Sequence, residues 1–491
     1  MKIKYLIIGL FLYCSIGIVG CQKEVIDLSP PSSLTEADFY KSAKDLNSAV
    51  LGIYIGYQKR QPTDWALLEL PSDNMYRTGY STLGGTDQIN NLAFTSDNPL
   101  FASFWQQSYN GIYRANAVIA NIENPIDYST NQKAQLLGEA QFMRALFYFD
   151  LVRLFGEVPK VTTLLSIEES KSVPKTSVSD IYALVVEDLK AAIENLPLKG
   201  SMVTGRANKN AAVALLAKVY VYLKDWSNAK IYLDTLETYD YNLLSDYSSL
   251  WKIENEDNEE VIFAIKYTPV TNGHSVSTYF LPYFGVTGIS ASGLEAAFPT
   301  WDIIRFYETG DTRKDASVEE YWKSPGGPAS APAVWYPYIS KYAIPHSPGS
   351  SGLDLAVLRY ADLVLLKSEV LYNLNQPALA LVELNRIRER AFKGISHNYL
   401  LTDIATPEAF LDKLLLERRL ELAFENERWF DLVRTDRFMS ELSQVQTSYN
   451  PASGTALTVT LTPKAHYKYF PIPRTEIEKA NPGVLIQNDN Y

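Results

Sequence analysis

The chain has 491 residues, 46% hydrophobic and 21% charged, the balance of a globular protein rather than a disordered or collagen-like one. Its formal net charge is −11 and Lys and Arg nowhere cluster, so no basic footprint exists to neutralise phosphates, and nucleic acid is excluded as a partner. Tyr is unusually common, 33 residues beside 20 Phe and 8 Trp; rings in such number either fill gaps between helices or line a groove.

Lys2 and Lys4 precede an apolar run from Tyr5 to Val19, too short for a good membrane-spanning helix and right for a secretory signal over residues 1–20. Ile18-Val19-Gly20-Cys21 then resembles a bacterial lipobox, which predicts lipidation of Cys21; the alternative is an exported protein with a free Cys21. Cleavage takes away Cys14 and two lysines, leaving one cysteine and a formal charge of −13. No internal disulfide is then possible, and the core alone must hold the fold. Acyl chains on Cys21 would anchor the protein without a spanning segment, each buried methylene contributing about 0.8 kcal/mol. Residues 21–34, with Ser29-Pro30-Pro31-Ser32, read as the lipidated N-terminus and an extended tether, and 35–491 as a single folded domain.

Thr35 is the expected cap of the first helix, whose apolar face is Phe39, Leu46, Val50, Ile53 and Tyr54. From 58 to 99 Pro62, Gly79, Gly84, Gly85 and Pro99 break the helical pattern, and a loop this long predicts a binding element. A helix is expected from Phe104 to about Ile122, and another from Glu139 to Phe155, ended by Gly156 and Pro159. Within it Glu139 and Arg144 read as structural pairing. Asp180 to Leu196 continues the series. The stretch around which the chain is organised is Asn208 to Leu236, two antiparallel helices with Ala212, Leu215, Leu216, Val219 and Leu223 on one apolar face and Asp225 capping the second. Such a hairpin needs similar units stacked on it, and Arg359 to Leu374, Ala378 to Phe392 and Ala409 to Phe424 supply them. Val261 to Ile265 is a short strand candidate, and 266–351 is a second loop-rich insertion, full of Gly, Ser, Pro and rings. The fold class is mainly α: a tetratricopeptide-like helical-repeat scaffold with long irregular loops and a few short strands.

The four histidines, His274, His346, His397 and His466, have no ligand spacing, there is no cysteine pair, and neither a nucleophile elbow nor a phosphate-cradling loop is present. Neither metal nor cofactor is expected, and catalysis has no positive support. Binding has some. Sugar rings offer C–H faces to aromatic planes and hydroxyls to polar edges, and the two insertions carry both. The candidate rings are Trp65, Tyr80, Tyr283, Trp301 and Trp335; the candidate polar group is Asp73, Asn74 and Arg77, for which local turns and salt bridges are the competing roles.

Several motifs together resemble the SusD/RagB family of Bacteroidetes nutrient-binding lipoproteins. They are Glu139-Ala140-Gln141-Phe142-Met143-Arg144-Ala145, Gly156-Glu157-Val158-Pro159, Gly205-Arg206-Ala207, Arg359-Tyr360-Ala361-Asp362, Asn385-Arg386-Ile387-Arg388-Glu389-Arg390-Ala391, the run from Glu417 to Leu432, and Phe470-Pro471-Ile472-Pro473 onward to Tyr491. The resemblance implies lipid attachment at the outer membrane facing outward, an oligosaccharide ligand, and delivery to a TonB-dependent barrel of the SusC type. Some members bind peptides, so peptide capture is the alternative, with a surface glycosidase third. The matching motifs are scaffold positions, so Arg428, Trp429 and Asp431 read as packing and pairing. One departure, Ser368 where many relatives have Ala, suggests altered local packing.

Overall fold

The computed structural model describes residues 39–491, so the signal peptide, Cys21, the tether and the Thr35 cap lie outside the described residues. The first described helix, Ala43–Arg60, is capped by Ser42 in a reciprocal box with Asp45, and it buries Leu46, Val50, Ile53 and Tyr54. It packs on Pro99–Asn121, which packs on Gln132–Phe155. The second of these begins five residues before its expected start, because Asn98 accepts the Leu100 N–H at 2.9 Å and Pro99 takes the first helical position.

Stacked helix pairs form the remainder of the scaffold. Gln132–Phe155 lies against Val178–Asn195, Lys209–Tyr222 against Trp226–Leu236, and Tyr360–Asn373 against Pro377–Phe392 and Pro407–Glu421. Asn208 and Asp225 cap the central pair through the Ala211 and Asn228 N–H groups at 3.0 and 3.1 Å. This pair departs from expectation in one respect. Asn210 to Val221 are buried on every side, since helices press on the first member from several directions, whereas Leu223, expected inside, is exposed at the helix end. Ser368 is fully buried and donates its hydroxyl to the Ala380 carbonyl at 2.7 Å, tying two neighbouring helices together through a bond that alanine could not make.

Among the described residues, ten short strands pair two by two, all antiparallel. They are β1 (Met75–Arg77) with β5 (Ala297–Pro299), β2 (Val158–Pro159) with β3 (Lys175–Thr176), β4 (Val261–Ile265) with β8 (Leu355–Arg359), β6 (Val318–Trp322) with β7 (Val334–Ile339), and β9 (Gln444–Asn450) with β10 (Thr455–Thr460). The expected strand at Val261 to Ile265 is β4. The two insertions hold more structure than their sequence suggested: the first contains the buried helix Trp65–Leu68, and the second the helices Val276–Phe280, Trp301–Phe306 and Arg313–Ser317 besides three strands.

Charged motif residues are paired inside. Arg144 meets Asp188 at 2.7 Å, Glu139 accepts from Arg206 at 2.7 Å and from the Tyr54 hydroxyl at 2.8 Å, and Asp431 lies between Arg418 and Arg434 at 2.7 and 2.9 Å. Structural pairing is therefore what these residues do.

His274 pins the start of the second insertion. Its Nδ1 accepts the Val276 N–H at 3.1 Å, which leaves Nε2–H to donate to the Leu353 carbonyl at 2.7 Å. Burial, with a smaller contribution from nearby His346, pushes its pKa down to about 4. The folded chain thus binds fewer protons here than the unfolded one between pH 4 and 6.5. Stability from His274 is complete above pH 6.5 and is lost as pH falls toward 4, on the order of 3 kcal/mol in all. His274→Gln should be less stable at pH 7.5 and should converge on the parent near pH 4 in urea titrations; a constant difference across that range would refute it.

Candidate functional site

The pairing of β1 with β5 brings the two insertions together, placing Tyr76 opposite Phe298 and Arg77 opposite Ala297. Just beyond β1, the Thr78 N–H reaches the Ala296 carbonyl at 3.3 Å and the Thr78 hydroxyl donates to the Glu295 carbonyl. Tyr80 emerges from this corner 60% exposed, and its ring stacks on that of Tyr283, itself 52% exposed, with centroids 5.9 Å apart and planes 28° from parallel. Phe284, also exposed, stands edge-on to Tyr283 at 5.4 Å. The result is a ring platform open to solvent on a closed loop.

The loop of residues 281–295 is folded tightly on itself. Gly285 has φ of +75°, and a side chain at Gly293 would meet the Leu281 carbonyl oxygen at 2.1 Å, so both positions require glycine. Tyr283 is held from both sides: its carbonyl accepts the Gly293 N–H at 3.2 Å, and its own N–H donates to the Glu295 carboxylate at 3.0 Å. The other Glu295 oxygen accepts from the Tyr336 hydroxyl. Burial, then that bond, raises the Tyr336 pKa well above its ordinary value, so the phenol keeps its proton and remains a donor.

The β6–β7 hairpin backs this corner with two ring groups on its two faces. Trp322 and Tyr336 pack at 5.4 Å on one face, with Phe298 5.1 Å from Tyr336, while Tyr321 and Trp335 pair at 5.5 Å on the other. Trp335 also meets Trp301 at 5.8 Å, and Trp301 lies flat on Tyr449 of β9, 4.1 Å away and 10° from parallel.

The sequence-predicted residues therefore fall into three environments. Tyr80 and Tyr283 come together on the surface. Trp301 and Trp335 come together too, half-buried, with one Trp301 face already covered by Tyr449. Trp65, Asp73 and Asn74 do not reach the surface and are corrected to core positions. Trp65 is 2% exposed among Tyr279 and Phe280, because its short helix fills the space beneath the insertions. Asp73 accepts from Nε and Nη2 of Arg428, each at 2.8 Å, and meets Arg419 at 3.0 Å; Asn74 donates to Glu69 at 2.6 Å and accepts from Arg419 at 2.8 Å. Arg77 is half-buried and braces the loop that bears Tyr80, donating to the Thr86 hydroxyl and the Ser81 carbonyl at 3.0 and 3.2 Å. Glu295 and Tyr449 escaped sequence reasoning. Neither lies in a motif, and only the fold brings Glu295 under Tyr283 or Tyr449 onto Trp301.

Among the described residues, no three His, Cys, Asp or Glu side chains gather as a metal site would require, and no helix is long and apolar enough to cross a membrane. Residues 24–221 match a family model described as starch-binding, associating with outer membrane, and residues 333–491 match the SusD family model. The chain belongs to the SusD/RagB family. It is 27% identical to the SusD-like protein P38 of Formosa agariphila, over 90% of this chain and 94% of that one. Among solved structures it is similar to a SusD-like protein of Bacteroides fragilis, at 21% identity and a TM-score of 0.78, covering 94% of this chain and 100% of that one. It is also similar to surface glycan-binding protein A of Bacteroides thetaiotaomicron in complex with laminarihexaose, at 22% identity and a TM-score of 0.74, covering 91% of this chain and 99% of the other. Residues 222–332, between the two SusD/RagB matches, carry Tyr283, Phe284, Glu295, Trp301 and Tyr321. The SusD/RagB matches thus span most of the helical scaffold and the segment bearing Tyr80, and neither reaches the segment bearing Tyr283.

Proposed function

We propose that this protein is a non-catalytic receptor that binds an oligosaccharide on the Tyr80–Tyr283 platform and hands it to a TonB-dependent outer-membrane barrel of the SusC type, moored to the outer membrane, facing the cell exterior, by acyl chains on Cys21. The observation that carries the reading is the exposed ring pair. Two large rings held in water at a fixed stack leave apolar faces uncovered, and the C–H face of a pyranose is the partner that fits them. Support comes from the family model's starch-binding, outer-membrane description and from a relative of the same fold holding laminarihexaose. The Trp301–Trp335–Tyr321–Tyr449 group is a second ring surface along which a longer chain could extend.

Isothermal titration with maltohexaose, laminarihexaose and a peptide panel tests the ligand class. Binding of at least one hexasaccharide is expected. Tyr80→Ala and Tyr283→Ala should each weaken it about tenfold, while unfolding free energies stay within about 0.5 kcal/mol of the parent, since both rings are exposed. Heat with peptides and none with any glycan would replace the reading with peptide capture. The finer parts have their own tests: fatty-acid labelling lost in Cys21→Ser, and co-purification of a barrel from detergent-solubilised outer membranes.

A further inference from the structure

We propose that Glu295 is the positioning residue of the ring platform, setting Tyr80 and Tyr283 against each other from beneath without touching the ligand. The inference rests on reading that platform as the glycan-binding surface. Glu295 is 4% exposed and has a φ of +48°, a left-handed conformation that costs a non-glycine residue energy and persists only where the surroundings over-determine it. They do so here. The flanking Leu294 and Ala296 N–H groups donate to the Thr278 and Tyr279 carbonyls, both at 2.7 Å, and the Glu295 N–H donates to the Leu281 carbonyl at 3.0 Å.

Glycine would take this backbone more easily, so the reason for glutamate lies in its side chain. Its side chain is buried, and its carboxylate forms no salt bridge among the described residues. What it holds instead are two neutral donors, the Tyr283 N–H at 3.0 Å and the Tyr336 hydroxyl, while its carbonyl takes the Thr78 hydroxyl two residues before Tyr80. One residue thereby clamps three separate segments: the corner bearing Tyr80, the loop bearing Tyr283 and the β7 strand behind them. A left-handed backbone and hydrogen bonds to three separate segments meet at this single position, directly under exposed rings. Their effect is preorganisation: the rings stand at the stacked spacing before ligand arrives, so binding need not order them.

Three variants test this against laminarihexaose and maltohexaose. Glu295→Gln can still accept from the Tyr283 N–H and donate to the Tyr336 oxygen, and should bind within about threefold of the parent. Glu295→Ala loses both bonds and should bind about tenfold more weakly. Glu295→Gly loses the same bonds but relieves the strained φ, so its melting temperature should equal or exceed that of Glu295→Ala while its affinity falls equally. A residue with a purely structural role would instead make affinity follow stability across the three. Fluorotyrosine at positions 80 and 283 supplies a readout independent of any sugar: sharp, shifted resonances in the parent and Glu295→Gln, and averaged ones in the Ala and Gly variants. Parent-like spectra in Glu295→Ala and Glu295→Gly would overturn the proposal. Failure of the parent to bind either hexasaccharide, with the spectra as expected, would overturn the glycan reading and leave the clamp standing.

Discussion

Glu421→Gln is expected to lower the unfolding free energy by about 3–5 kcal/mol, read as a fall in the urea midpoint at unchanged slope. Glu421 is fully buried at the end of its helix, where one carboxylate oxygen accepts from Arg359 at 2.7 Å and Arg390 at 2.5 Å and the other faces Arg313 at 3.7 Å. Burial works against its charge, but the guanidiniums of Arg390, Arg359 and Arg313 outweigh it and hold the carboxyl down at about 2. The buried part of the surrounding network is balanced: Arg313, Arg359, Arg388, Arg390 and Lys341 face Asp311, Glu260, Glu417, Glu421 and Glu425, with the exposed Glu308 a further partner of Arg388 at the rim. Substituting a neutral amide leaves one positive charge unmatched in a dry interior, and the amide N–H₂ turns donors toward donors. The same shift sets a pH limit. Because the folded pKa lies below the unfolded 4.5, this contribution is present above pH 4.5 and is lost as pH falls toward 2. Arg437→Ala is the control, since its pairs with Glu408 and Asp412 involve exposed carboxylates and should be worth less than about 1 kcal/mol. A loss no larger for Glu421→Gln than for Arg437→Ala would mean that the network contributes nothing net.

That network explains why the scaffold could be read from sequence and the site only in part. Helical spacing is a local signal, so the hairpin at Asn208 to Leu236, its Asp225 cap and the strand at Val261 to Ile265 were visible as patterns within a few turns of chain. The charged motifs were visible too, but not their partners: Arg359 meets Glu421 and Glu260 across 62 and 99 positions, distances over which no periodicity carries information. For the loops the difficulty was burial. Both Trp65 and Tyr80 fall in a stretch broken by Pro and Gly, yet Trp65 opens the largely apolar run to Leu70, which a four-residue helix turns into the core, while Tyr80 stands among Thr, Gly and Ser just past a strand. The immediate neighbours separate the two, and the breakers around them hide it. Glu295 is subtler, an ordinary glutamate in sequence that only its left-handed backbone and its donors single out.

Asp73→Ala should separate scaffold from site most sharply, because sequence placed Asp73 beside Tyr80 in one polar and aromatic loop and the fold sends them to opposite fates. Burial opposes the Asp73 charge, but Arg419 and Arg428 prevail and hold its carboxyl at about 2. Arg428 binds it through two parallel bonds of 2.8 Å, the strongest geometry available to the pair. Alanine strands two buried guanidiniums, and a loss of about 3–5 kcal/mol is expected in urea. The platform itself should survive in the folded fraction. β1 is still fixed by Asn74 between Glu69 and Arg419, by the Thr300 N–H on the Asn74 carbonyl at 2.9 Å, and by its register with β5. At a temperature where the variant remains folded, its glycan affinity should lie within about threefold of the parent. Tyr80→Ala should behave in the reverse way, stable and weak-binding. The two variants thus cross, one losing stability and keeping affinity, the other keeping stability and losing affinity. An Asp73→Ala protein that melts like the parent and binds nothing would return Asp73 to the ligand and dismantle the assignment of the surface rings as the site.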